Sequence, residues 1–160
     1  GGPDAPVRIE WGKNFAALVT RHQGSRGVLP GEDAFPPREG LTGDAAAGSI
    51  WAYVYPSTVI SCQREAVWWN QVIPDGANRS TLVIGSCFPR ATAARSDFDA
   101  GAEAYYRRID QTAAEDVEIV EQVQKGLSSP HALAGPLSHL EAICHAHRNW
   151  VVDAVLGEER

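Results

Sequence analysis

The fold is decided by residues Ile50–Phe88, which read IWAYVYPSTVISCQREAVWWNQVIPDGANRSTLVIGSCF. This stretch contains short runs that are rich in aromatic and β-branched residues and are separated by turn signals such as Pro56 and Pro74–Gly76. The runs are Ile50–Tyr55, Thr58–Cys62, Ala66–Ile73 and Ser80–Phe88. Short runs at such close spacing predict consecutive antiparallel strands of one sheet.

The sequence upstream of this sheet predicts a further hairpin and a long connection. Val7–Trp11 alternates between apolar and polar side chains, and Phe15–Val19 is a second apolar run that follows a Gly-Lys-Asn turn. Gln23–Gly48 is rich in glycine and proline and shows little periodicity. We interpret it as an irregular segment that serves as a lid or a mobile loop.

Helical patterns replace strand patterns after Pro89. Ser96 with Asp99 is a helix-start signal, and Ser138 with Glu141 forms a capping box for the last helix. We predict that the segments 96–127 and 139–156 are helical and pack on the sheet. Strands followed by helices are typical of the α+β class. The order suits a helix-grip domain, in which a curved antiparallel sheet packs against C-terminal helices.

Composition narrows the class of protein. The 160 residues are enough for one domain with a sizeable core, and 44% hydrophobic with 21% charged residues is typical of a globular chain. A net charge of -6 argues against nucleic acid as a partner. No stretch approaches the roughly 20 apolar residues of a membrane span. The three widely spaced cysteines fit a reducing cytoplasm better than a disulfide framework.

Asp116 is the one acidic residue at the start of an apolar helical stripe. Asp116, Val120, Val123 and Leu127 follow each other at intervals of four, three and four residues, so they share one helix face. A carboxylate directed into a protein interior costs several kcal/mol unless it is paired, hydrogen-bonded or bound to a metal. Asp116 therefore requires a partner if this face is buried.

Two kinds of partner stay open for Asp116 at this stage. Thr112 and Glu115 match a capping box, which would place Asp116 in the first turn of a helix, where the dipole favours an acid. An arginine such as Arg107 or Arg108 is a second structural possibility. The other kind of partner is a metal ion, although structural carboxylates outnumber metal ligands.

The residues around Asp116 form a pattern that extends to both sides. It comprises Glu115–Asp116, Glu121, Gln124, Gly126–Leu127, Ser129, Gly135–Ser138 and Glu141, with the strand motifs Trp68–Pro74 and Ser80–Leu82. This pattern resembles the C-terminal part of the catalytic domain of Rieske non-haem iron oxygenase α subunits of the aromatic-ring-hydroxylating type. The resemblance covers roughly residues 50–156. It implies that Asp116 is the carboxylate of a two-histidine, one-carboxylate iron site, and that Tyr106 and Thr112 line the substrate pocket.

The resemblance also implies a reaction and a set of partners. Such an oxygenase inserts oxygen from O2 into an aromatic or other small organic substrate at mononuclear Fe(II), as a dioxygenase or a monooxygenase. Its electrons come from a [2Fe-2S] Rieske cluster in an N-terminal domain. A ferredoxin or a reductase delivers the electrons to this cluster. Family members assemble as trimers or larger homo-oligomers. No catalytic side chain beyond the metal ligand is implied.

The chain departs from the family pattern in its ligands. None of its five histidines has the His-x-x-x-x-His spacing of the iron ligands, and no pair of Cys-x-His type could hold a Rieske cluster. We therefore interpret residues 1–160 as a single domain, the C-terminal portion of an oxygenase catalytic domain, which lacks the Rieske domain and is inactive alone. The alternative is a non-catalytic helix-grip module that binds a small apolar ligand. His147, on the apolar face of the last helix, is expected to be a hydrogen-bonded core residue.

Overall fold

A six-stranded antiparallel sheet, in which the strands follow chain order, forms the centre of the fold. The structure is a computed structural model that describes residues 6–133 and 135–157. The strands are β1 (Pro6–Gly12), β2 (Phe15–Arg21), β3 (Gly48–Val54), β4 (Thr58–Cys62), β5 (Val67–Pro74) and β6 (Ser80–Cys87). The hairpin and the strand meander predicted from the sequence are both confirmed.

The helices follow the sheet, apart from one short helix before β3. They are α1 (Gly43–Ala47), α2 (Arg90–Ala93), α3 (Phe98–Leu127) and α4 (Ala142–Leu156), with a 3₁₀ turn at His139–Glu141 before α4. The predicted capping box is present at this turn. The Ser138 hydroxyl accepts a hydrogen bond from the Leu140 amide at 3.3 Å, and Glu141 Oε2 accepts one from the Ser138 amide at 2.7 Å. The α+β class with C-terminal helices is therefore confirmed.

Helix α3 is continuous over 30 residues, which confirms the helix predicted over 96–127 and excludes the possibility that Thr112 and Glu115 begin a helix. The Thr112 hydroxyl donates to the Arg108 carbonyl at 3.0 Å, and Glu115 Oε1 accepts from Gln111 Nε2 at 3.1 Å. Both side chains thus bond within the helix interior, where the backbone amides already bond to the preceding turn. Asp116 therefore does not lie in the first turn of a helix, and the capping interpretation of this residue is excluded.

Tyr105 of α3 is the most enclosed aromatic side chain of the core. Phe35 stacks on its ring at 5.4 Å between centroids, Phe88 meets it edge-on at 5.2 Å, and the Phe35 amide donates to its hydroxyl at 2.9 Å. Burial raises the pKa of this hydroxyl. Phe35 and the buried Val28 belong to the segment between β2 and α1. These side chains anchor that segment in the core.

Helix α4 packs on the other end of the sheet through polar and aromatic contacts. His147 Nε2 lies 3.0 Å from the Pro56 carbonyl and 3.2 Å from the Tyr53 hydroxyl, and Trp150 Nε1 donates to Asn14 Oδ1 at 3.1 Å. The expected hydrogen bonding of His147 is confirmed, although its side chain is only half-buried. Burial raises the pKa of the Tyr53 hydroxyl. Within the described ranges, no helix has the length and apolar character needed to cross a bilayer.

Candidate functional site

One face of α3 runs from the core into solvent. Tyr105, Ile109, Thr112 and Asp116 follow each other at intervals of four, three and four residues, so their side chains share this face. Tyr105 and Ile109 are buried, Thr112 is half-buried and Asp116 is exposed. Asp116 therefore lies where the core-facing stripe of α3 becomes accessible.

The stripe continues beyond Asp116 without a cover from the described part of the chain. Val120, Val123 and Leu127 are 65%, 53% and 64% exposed. The expectation that these residues are buried in this chain is wrong. The reason is geometric, because the core around Tyr105 ends near Ile109 while the helix extends about 27 Å further, at about 1.5 Å per residue.

The structural partners expected for Asp116 are engaged elsewhere. Arg107 pairs with Glu32 at 2.6 Å and lowers the pKa of that carboxyl, and Arg108 donates to the Thr112 hydroxyl at 2.9 Å. Among the described residues, no side chain forms a hydrogen bond or ion pair with the Asp116 carboxylate. Neither structural explanation of Asp116 is therefore supported by the geometry.

The two residues expected to line a substrate pocket lie in different places. Thr112 precedes Asp116 by one helical turn and shares its face. Tyr106 is 39% exposed, and its ring meets Phe88 edge-on at 6.5 Å between centroids. Ten residues of helix separate Tyr106 from Asp116, which corresponds to about 15 Å along the axis. The structure thus groups Thr112 with Asp116 and places Tyr106 near the core.

The described histidines do not gather around Asp116. His22 Nε2 lies 2.6 Å from Ser49 Oγ, and His145 Nε2 lies 3.1 Å from Asn149 Nδ2, while His147 contacts the sheet. In residues 6–133 and 135–157, no cluster of three or more His, Cys, Asp or Glu side chains could hold a metal ion. These residues by themselves do not fit a mononuclear iron centre, which needs three protein ligands.

A cleft of about 390 Å³ opens at one end of the sheet, beside the segment that precedes α1. Its apolar walls include Leu41, Ile50, Val67 and Phe88, and its charged groups are Arg38, Arg64 and Glu65. Cys62 also faces the cleft. Burial raises the pKa of the Cys62 thiol, and the positive charge of Arg38 lowers it by a smaller amount. The cleft therefore combines an apolar interior with cationic groups.

A chain of buried polar side chains joins the strand ends next to this cleft. The Ser49 hydroxyl donates to Gln63 Oε1 at 2.5 Å, and Gln63 Nε2 donates to Ser61 Oγ at 2.8 Å. Because the Ser49 proton is used in this way, Ser49 Oγ must accept the hydrogen bond from His22 Nε2. The bonds tie β2, β3 and β4 together and hold Gln63 in the cleft wall.

Comparison with protein families matches residues 5–157 to the family described as ring hydroxylating alpha subunit (catalytic domain). The chain belongs to this family. The resemblance drawn from the pattern around Asp116 is thereby confirmed, and the match extends it upstream to the β1–β2 hairpin. A search of curated proteins finds no match.

The ring-hydroxylating oxygenase domain contains charged cleft residues that sequence reasoning missed. Gln63–Glu65 is a polar segment between two of the predicted strands, yet Glu65 is 2% exposed and accepts a hydrogen bond from the Ser25 hydroxyl. Gly27 makes room for this arrangement, since a Cβ there would lie 2.6 Å from the Tyr105 ring and 3.1 Å from Glu65 Oε1. The absence of a side chain at Gly27 was the one sequence signal, and it does not indicate which side chain approaches.

Proposed function

We propose that this chain is the part of a Rieske-type ring-hydroxylating oxygenase that supplies the carboxylate ligand Asp116 to a mononuclear Fe(II). The observation that carries the proposal is the position of Asp116 within a chain matched over residues 5–157 to the catalytic domain. Its carboxylate is exposed on the continuation of the core face, without a cap or an arginine partner among the described residues. The carboxylate is thus not engaged by another described side chain.

The other two ligands of this site are proposed to be histidines from polypeptide outside these 160 residues. A facial triad requires two histidines and one carboxylate, whereas His22, His145 and His147 are hydrogen-bonded away from α3 and no described His, Cys, Asp or Glu cluster could hold a metal ion. A segment that packs on the apolar stripe Val120, Val123 and Leu127 would bring its histidines next to Asp116 on the same helix face. The isolated chain then retains no stoichiometric iron and has no oxygenase activity.

The proposed reaction and partners follow from the family. The substrates are O2 and an aromatic or other small organic molecule, which the enzyme converts as a dioxygenase or a monooxygenase. A ferredoxin or reductase supplies electrons through a [2Fe-2S] Rieske cluster, in a cytoplasmic homo-oligomer such as a trimer. Thr112 lines the substrate space beside Asp116, and Tyr106 lines its far end toward the sheet.

The test compares two acidic residues of α3 in the complete oxygenase α subunit. Asp116→Ala should remove the mononuclear iron and abolish turnover, while the Rieske absorbance stays unchanged. Asp110→Ala, at another exposed position of the same helix, should keep iron and activity. Iron content is measured by metal analysis of the purified protein. Retention of iron and full activity in Asp116→Ala would remove Asp116 from the site.

The isolated 160-residue chain tests the origin of the histidines. After incubation with Fe(II) under anaerobic conditions and removal of free metal, we expect no bound iron. About one tightly bound iron per chain, lost in Asp116→Ala, would show that the histidines of this chain suffice.

A further inference from the structure

The cleft at the end of the sheet contains two guanidinium groups whose hydrogen-bonding capacity is only partly used. One terminal nitrogen of Arg64 donates to the Gly24 carbonyl, whereas its Nε is buried and has no hydrogen-bond partner in the described part of the chain. The Arg38 amide donates to the Arg64 carbonyl at 2.8 Å, which fixes the backbones of both residues side by side. The Arg38 side chain forms no ion pair with another described residue.

The charge of the cleft favours an anion. Two arginines and one glutamate line it, and the Glu65 carboxylate is held by the Ser25 hydroxyl on the side of Gly27 and Tyr105. One positive charge therefore remains in excess. Guanidinium groups bind planar carboxylates through paired hydrogen bonds, and they do so most strongly where water is partly excluded.

The walls and the size of the cleft define the rest of the ligand. Leu41, Ile50, Val67 and Phe88 present aliphatic and aromatic surface. A volume of about 390 Å³ lies near the lower end of the range of roughly 300 to 1,000 Å³ for small-molecule sites. This space fits one ring or a short branched chain.

We propose that this cleft binds a small organic monocarboxylate, whose apolar body packs on the cleft walls and whose carboxylate accepts hydrogen bonds from Arg38 and Arg64. The site does not depend on iron. Phe88 lines it, whereas Asp116, Thr112 and Tyr106 do not. The proposal therefore stands or falls separately from the role of Asp116.

The experiment is a calorimetric titration of the 160-residue chain with benzoate. Benzamide has the same ring without the charge, and inorganic phosphate has charge without an apolar body. Arg38→Gln removes one guanidinium that forms no ion pair with another described residue, so this variant is expected to fold. Arg90→Gln is the matched control, because Arg90 is exposed and follows the cleft residue Pro89 without facing the cleft. Far-UV circular dichroism confirms the fold of each variant.

A second readout places the ligand in the cleft. Cys62 faces the cleft, whereas Cys144 is exposed on α4. Alkylation by iodoacetamide, followed by mass spectrometry, should be slowed by benzoate at Cys62 and unchanged at Cys144. Equal rates at Cys62 with and without saturating benzoate would place the bound ligand elsewhere.

The expected result is saturable benzoate binding with a Kd below about 1 mM. Binding should weaken by about tenfold or more in Arg38→Gln and stay unchanged in Arg90→Gln, and benzamide and phosphate should each bind about tenfold more weakly than benzoate. The proposal is overturned by equal binding of benzamide, by equal binding of phosphate, by unchanged binding in Arg38→Gln, or by no saturation with benzoate.

Discussion

The two halves of α3 have the same residue spacing and opposite environments. In the first half, residues 98–113, Ala102, Ala104, Tyr105 and Ile109 are buried. In the second half, residues 114–127, every residue is exposed. Apolar side chains recur at intervals of three and four in both. Periodicity therefore identifies which face of a helix is suited to packing, but it does not identify what packs there.

The difference between the halves also bears on function. The acidic residue on which the iron proposal rests lies where the core-facing stripe leaves the core, followed by apolar residues that the described chain does not cover. A side chain in this position is held by a rigid helix, and a second polypeptide segment could still pack beside it. The helix thus combines a structural half with a half that is suited to completing a site.

The largest expected effect comes from comparing one truncated side chain in each half of α3. Tyr105→Ala removes a fully buried ring that contacts Phe35 and Phe88, and it should lower the free energy of unfolding by about 3 to 5 kcal/mol. Val120→Ala truncates an exposed position of the same stripe and should change it by less than about 0.5 kcal/mol. Urea unfolding followed by circular dichroism measures both.

The outcome that contradicts the comparison is a large effect at Val120. A loss of about 1 kcal/mol or more in Val120→Ala would mean that the second half of α3 is covered in solution. Dependence of that loss on protein concentration would identify another copy of the chain as the cover.

Much of the fold could be predicted from sequence because local signals decide it. Turn residues such as Pro56 and Gly76 delimit strands, and Ser138 with Glu141 caps the last helix, as the structure confirms. The capping box that Thr112 and Glu115 match in the sequence is absent for an equally local reason. A threonine in the interior of a helix can bond to the carbonyl four residues earlier, and the same residue pattern then no longer marks a start.

The two candidate sites, at Asp116 and at the cleft, were less predictable than the fold, and the parts of the cleft are far apart in sequence. Asp116 was identified by family resemblance, whereas Arg38 and Arg64 meet only because their backbones pair across a loop. The burial of Glu65 depends on Ser25 and Gly27, which lie 40 and 38 residues away in the sequence. No periodic pattern encodes contacts of that kind.

A smaller effect is expected from the pH dependence of stability. Burial raises the pKa of the Tyr105 hydroxyl above its usual value of about 10. Its contribution to stability is therefore fully present below pH 10 and is lost as the pH rises toward the raised pKa, because the unfolded chain ionises first. Tyr105→Phe should flatten this decline in the free energy of unfolding between about pH 10 and 12.

At neutral pH the same variant should cost about 1 to 3 kcal/mol, since the buried Phe35 amide loses its acceptor. Tyr106→Phe, at the exposed neighbouring position, is the control and should leave both the stability and its pH dependence unchanged. An equally steep decline above pH 10 in Tyr105→Phe would assign the pH dependence to other tyrosines whose hydroxyl pKa burial raises, such as Tyr53 and Tyr55.

The smallest effect is expected for Asp116→Ala in the isolated chain, and its sign distinguishes a ligand from a structural acid. The Asp116 side chain is exposed to solvent, and the residue lies far from both ends of α3, so it does not cap the helix. Arg107 and Arg108 bond to other groups. Alanine favours a helix over aspartate by up to about 0.7 kcal/mol. The variant should therefore unfold at an equal or slightly higher urea concentration than the parent chain. A loss of about 1 kcal/mol or more would show that the carboxylate stabilises the chain by itself, as a cap or ion pair would. An unchanged or raised stability here, together with loss of iron in the complete oxygenase, would mean that Asp116 is retained for the metal and not for the fold.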